Sequence, residues 1–251
     1  MSYFAADSVL RRVDRENVLL LGGGRAILMQ LAHPLVAQGV AEHSDFSTDP
    51  FGRLRRTLDV THRVVFGTDA EADRALAALR TVHEGVRGPG YAASDPALLL
   101  WVHATLVDTA LRVYGRFVAP LSVDECERYY ADAVVLGELF GTPRDEQPPT
   151  YDAFRAYVRG MVGSLEVSDT ARAVAREVLH PRLPVIAEPV LELGRQLTAG
   201  LLPRPLREQY GFSWDRPRKA ALIAATIASR AVHKISLHLN THRVSGCSEI
   251  S

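Results

Sequence analysis

Helix-start signals recur along this chain, whereas the short alternating runs closed by Asn-Gly or Asp-Gly turns that would build a sheet are absent. Thr48-Asp49-Pro50 reads as a cap followed by a first-turn proline, opening a helix that runs to about Phe66 with Gly67 at its end. Asp95-Pro96 opens another, to about Val118. Ser122 and Glu125 are spaced as a capping box, each side chain answering the other's free backbone N–H, and the helix they start runs towards Gly141. Further helices are expected at about 151–165, 168–179, 184–199 and 215–240. Even the β-branched pair Val64-Val65 sits inside a helical pattern. The expected fold is mainly α, a single-domain helical bundle over 1–251 with its core at about 15–245; a parallel α/β sheet is disfavoured.

Composition narrows the function classes. With 251 residues, 47% of them hydrophobic, the chain can bury one substantial core. Its 29 cations balance 29 anions, which removes the broad basic field that nucleic-acid binding draws on. Only Lys219 and Lys234 among the cations are lysines, so nearly every positive charge is a guanidinium fork suited to carboxylates or phosphates. Cys126 and Cys247 are too few for a disulfide framework or a Cys-rich zinc site, and neither lies in a Cys-x-x-Cys-His haem attachment. No stretch reaches the roughly 20 apolar residues of a membrane span. Met1 to Arg15 carries acids and lacks a signal-type apolar centre, so a reducing, cytoplasmic location is expected.

Several motifs fail on inspection. Val18 to Leu21 followed by Gly22-Gly23-Gly24-Arg25 resembles a strand entering a nucleotide loop, but the third glycine of a dinucleotide fingerprint would fall on Ile27. Two helices meeting at a break is the plainer reading. Glu177 and His180 make one Glu-x-x-His pair where a diiron bundle needs two, and Pro181 ends that helix. His238 and His242 stand one turn apart with His233 nearby, a metal half-site without the glutamate of a His-Glu-x-x-His centre. No Gly-x-Ser-x-Gly elbow supports a hydrolase.

His103 is more informative. Its neighbours three and four residues away are Leu99, Leu100, Leu106 and Val107, so its ring projects from a core stripe and needs a partner there. One partner would be a backbone carbonyl or a side chain across the bundle. The other would be iron, taken by the ring nitrogen's lone pair while the leucines cover a porphyrin face. A second constellation gathers His33, Glu42, His43, Asp45, Arg53, Arg56 and Thr57 into under thirty residues. Arg53 and Thr57, four apart, share a helix face; they either belong to a solvated face or turn a guanidinium and a hydroxyl into one pocket.

These segments carry a resemblance. Gly22-Gly-Gly-Arg-Ala-Ile-Leu-Met-Gln-Leu-Ala-His-Pro34, Glu42-His-Ser-Asp-Phe46, Arg53-Leu-Arg-Arg-Thr57, Val65-Phe-Gly-Thr68 and Trp101-Val-His-Ala-Thr105 resemble, in order, the oxygenase family of the latex-clearing (rubber) and MpaB-type oxygenases. The resemblance covers about residues 15–245 and is most specific in the first half. It implies an α-helical protein, globin-like in packing style, with a buried pocket for non-covalent haem b. It implies an oxidoreductase that acts with dioxygen on a small apolar substrate, isoprenoids among them. By position, His103 would be the axial ligand, and Arg53, Arg56 and Thr57 would match the family's Arg-x-x-Lys-Thr pocket segment. Arg56 stands where rubber-cleaving members carry lysine, and a guanidinium cannot coordinate iron as an amine can. His33 is a further cofactor-facing candidate, Glu42 or His33 the candidate general base, and Arg53 and Thr57 the candidate groups on the oxygen or propionate side. A non-catalytic haem carrier or sensor would use the same ligand without turnover.

Overall fold

The structure, a computed structural model, describes residues 2–43 and 50–245, the side chains of 50–55, 234 and 236–245 excepted. Side-chain caps set many of the helix boundaries. Ser8 accepts from the Arg11 N–H and opens α1 (Val9–Asp14). A 3-10 turn, Asn17–Gly22, then feeds α2 (Gly23–Leu31) and, after a break, α3 (Pro34–His43). The two stretches are bent by 108° at that break, where Pro34 begins the new helix. Next come α4 (Pro50–Phe66) and α5 (Asp69–Gly85), the latter opened by a full capping box between Thr68 and Glu71.

A minimal antiparallel hairpin follows, β1 (Arg87–Gly88) and β2 (Tyr91–Ala92), turning at Gly90 with φ +81°. Asp95 caps α6 (Pro96–Phe117), and Ser122 with Glu125 caps α7 (Val123–Leu139). The second half continues as α8 (Tyr151–Ser164), α9 (Asp169–Leu179), α10 (Glu188–Leu201), α11 (Arg204–Gln209) and α12 (Arg216–Ser245).

The expected helices at 95–118, 122–141, 151–165 and 168–179 are therefore present. The helix expected from 184 starts at Glu188, because Pro184 leads first into a 3-10 turn, Val185–Ala187. The Thr48-Asp49 cap falls outside the described residues. Mainly helical and single-domain is what the molecule is, with twelve α-helices and one hairpin among the described residues.

Helix α6 lies at the centre, packed by α1, α2, α7, α8 and α12. Its Trp101 and Phe117 are among the largest wholly buried side chains. At 22 residues α6 is also long and apolar enough to cross a membrane, which corrects the expectation drawn from uninterrupted apolar runs; 61% of its apolar window is buried against the rest of the protein. The glycine run at 22–24 is a helix junction. A Cβ on Gly22 would meet Thr109 Cγ2 at 2.5 Å and Val113 Cγ2 at 2.9 Å, and one on Gly24 would strike Thr198 Oγ1. Absent side chains let α2 and the turn before it approach α6 and α10 closely.

Candidate functional site

The helical period divides α6 into two working sides. Trp101, Thr105, Asp108 and Thr109 face α2: the Trp101 indole donates to the Met29 carbonyl at 3.1 Å, and Gln30 donates to the Thr105 hydroxyl at 3.2 Å. His103 projects to the other side, towards α7.

His103 is 6% exposed, with Leu100 and Val107 of its stripe also buried. Its Nε2 donates to the Ala133 carbonyl at 2.8 Å, and the Phe140 ring stands edge-on at 6.1 Å between centroids. This is the backbone carbonyl partner that a core histidine calls for. Nδ1, by contrast, is buried with no hydrogen-bond partner. Burial pulls the ring's pKa down to about 4, so at neutral pH the ring is uncharged. With the proton fixed on Nε2 by Ala133, the unshared pair on Nδ1 is free to act as a ligand. A second nitrogen tied to a backbone carbonyl is the usual support of a metal-binding histidine.

On the α2 side, His33 closes the first helix at the 108° break and is half-buried. Its Nδ1 is also buried without a partner, and burial lowers its pKa while Asp95 works against that shift. Arg25 is wholly buried: it pairs with Asp108, donates to Thr109, and reaches the Leu201 carbonyl at 2.9 Å. Sequence reading passed over Arg25 as a site residue. The three glycines before it were the available signal, since close backbone approach is what buries the side chain that follows.

Glu42 is exposed on α3 and accepts from the Tyr91 hydroxyl at 2.5 Å and Gln38 at 3.0 Å. Those bonds lower the Glu42 pKa, while burial and Glu42 push the Tyr91 hydroxyl up to about 12. A carboxylate held this way is a weak proton acceptor. Arg56 and Thr57 are exposed on α4, and the Arg53 side chain lies outside the described residues. The structure does not bring Arg56 and Thr57 to His103: α4 packs chiefly on α5 and touches the core through Val64 and Val65.

Among the described residues no group of three His, Cys, Asp or Glu side chains could hold a metal ion. His180 meets Arg195 Nη1 at 3.3 Å, His233 lies 4.0 Å from Glu16, and the His238 and His242 side chains fall outside the described residues. A haem iron asks less of the protein, because the porphyrin fills four positions and one neutral imidazole nitrogen suffices. The orphaned, uncharged Nδ1 of His103 fits that single donor.

A family model described as "ER-bound oxygenase mpaB/B'/Rubber oxygenase, catalytic domain" matches residues 10–231. Two relatives described as uncharacterized proteins, one from Mycobacterium bovis and one from Mycobacterium tuberculosis, are each 32% identical over 209 residues, which covers 77% of this chain and 80% of the relative. No solved structure matches.

Proposed function

The chain belongs to the mpaB/rubber oxygenase catalytic-domain family, and on that premise we propose that it is a haem b-dependent oxygenase acting with dioxygen on a small apolar substrate of isoprenoid type. The observation that carries the reading is the His103 ring, neutral and buried, with Nε2 spent on Ala133 and Nδ1 unspent. Haem, when bound, supplies the dioxygen chemistry; the protein supplies ligation, orientation and exclusion of water. The pocket would sit between helices in globin-like fashion, with His103 the residue that would hold the iron and His33 a second, neutral cofactor-facing group. Arg53, Arg56 and Thr57 would line the propionate edge, which suits cations and a hydroxyl at a solvent-facing rim. Glu42 would serve as a base only on releasing Tyr91.

Titrating the purified protein with hemin tests this. A Soret band should grow to one haem per chain, and acidified organic solvent should extract that haem. Oxygen should then be consumed in the presence of a short isoprenoid. His103→Ala should lose the band or shift it. A protein that takes up no hemin overturns the reading.

A second reading has its own support: Thr57 is exposed on α4 and apart from His103, so the ligand stands without that hydroxyl beside it. That arrangement suits a non-catalytic haem carrier or sensor. Bound haem without substrate-dependent oxygen consumption would select it.

A further inference from the structure

Three guanidinium groups gather where the end of α6 meets α12, and among the described residues no carboxylate answers them. Arg112 and Arg116 stand one turn apart on α6, on the side of Asp108 and away from His103. Arg230 arrives from α12, donating to the Arg116 carbonyl at 2.9 Å and to that of Gly115 at 2.6 Å. Arg116 spends its Nε on the Thr226 hydroxyl at 3.1 Å, and Thr226 in turn donates to the Leu222 carbonyl at 2.8 Å. These bonds fix two half-buried forks in place and leave the terminal nitrogens of Arg116 unspent among the described residues.

The charge is not balanced from within. Asp108 is already closed on Arg25, and Glu16, which reaches α12, lies 4.0 Å from His233. Burial and the neighbouring charges of Arg112 and Arg230 all lower the Arg116 pKa, with no acid opposing them. The carboxyl end of α6 offers about half a negative charge against three full positive ones. Arg195, by contrast, keeps 11% of its side chain exposed and takes both Glu188 and Glu192. Cations oriented by backbone bonds and then left uncompensated destabilise the seam, a cost that an anion from outside removes.

We propose that this seam binds a dianionic phosphate group, as a phosphomonoester or the end of a diphosphate. Such a group carries close to two negative charges and three acceptor oxygens, so forks from two helices can meet it at once. A carboxylate carries one charge and is filled by a single bidentate fork. Because the seam lies on the side of α6 away from His103, binding here needs no haem, and either reading can fail without the other.

Calorimetric titration of the full chain with inorganic phosphate, pyrophosphate and acetate at low ionic strength tests this, beside flotation with phosphatidylcholine vesicles with and without phosphatidic acid. Phosphate or pyrophosphate should bind one per chain, and acetate should not. Arg112→Gln and Arg116→Gln should each weaken that binding about 10-fold or more, the scale of a lost charge-assisted contact. Arg112 is exposed and makes no hydrogen bond among the described residues. Without phosphate, Arg112→Gln should therefore melt no lower than the unmodified protein, since it relieves a like-charge pair one turn apart. Binding only to vesicles that contain phosphatidic acid, weakened by the same variants, assigns the phosphate to a lipid headgroup. Failure of every phosphate probe to bind overturns the proposal, as does acetate bound as well as phosphate, or phosphate binding indifferent to both variants.

Discussion

The Arg25 guanidinium, entirely out of solvent, closes on the carboxylate of Asp108, which keeps 22% of its side chain exposed. The cation cannot be rehydrated if the pair breaks, and the anion can. Arg25→Ala removes the buried charge but also three helices' shared anchor, including the bond to Leu201 on α10. Asp108→Ala leaves the guanidinium buried and unpaired, which costs about 3–5 kcal/mol. Asp108→Asn, retaining an acceptor, should cost distinctly less. Urea unfolding of the three variants gives the ordering.

Close approach at the glycine run yields a compensation. Gly24→Ala places a methyl against Thr198 Oγ1 and should destabilise by about 1–3 kcal/mol. Thr198→Ala removes that oxygen, leaving Thr198 Cβ at 3.2 Å from the new methyl. The double variant should therefore be more stable than the sum of the single changes, a coupling that thermal melts of all four proteins would measure.

Much of this fold was legible because caps are local. Asp95, Ser122 and Glu125 each act within three residues of themselves, and α6 and α7 start where those residues put them. The same signal at Thr68 and Glu71 was overlooked, and α5 with it. What could not be read is non-local. Asp108 lies 83 residues from Arg25, and the Ala133 carbonyl lies 30 from His103. His103 was recognisable as a buried polar group from its leucines, but nothing in its helix says which nitrogen is satisfied. For Thr57 the period fixes which residues share its side of α4 without fixing where that side points, and it points to solvent.

A buried histidine and a half-buried aspartate should give opposite pH dependences. His103 has its pKa lowered to about 4, so the unfolded chain binds a proton below about 6.5 that the folded chain refuses. Its contribution is intact above pH 6.5 and is lost as pH falls towards 4, by about 3 kcal/mol. Asp14, which accepts from Tyr129 at 3.0 Å, is pushed by burial from 3.8 to about 7. The unfolded chain gives up that proton first, so this contribution is lost as pH rises from about 4 to 7. Denaturant midpoints across that window should climb with pH in Asp14→Asn and fall in His103→Leu.

For the haem reading, the residues on α4 divide by role. Arg53→Ala and Arg56→Ala should speed transfer of haem to an acceptor such as apomyoglobin, because a propionate loses its charge-assisted bonds. Thr57→Ala should speed that transfer less, since it gives up one neutral hydrogen bond, and should leave oxygen consumption unchanged. Three variants equal to the unmodified protein in both measurements would return this stretch of α4 to a solvated surface.

His33 sits at the break between α2 and α3 and His103 in the middle of α6, bonded to α7, so the two unpartnered ring nitrogens hang from different helices. Each imidazole is thus a separate address. A spectral change on replacing one leaves the other in its native surroundings as an internal control, so ligand identity can be assigned from single replacements without a double variant to disentangle them.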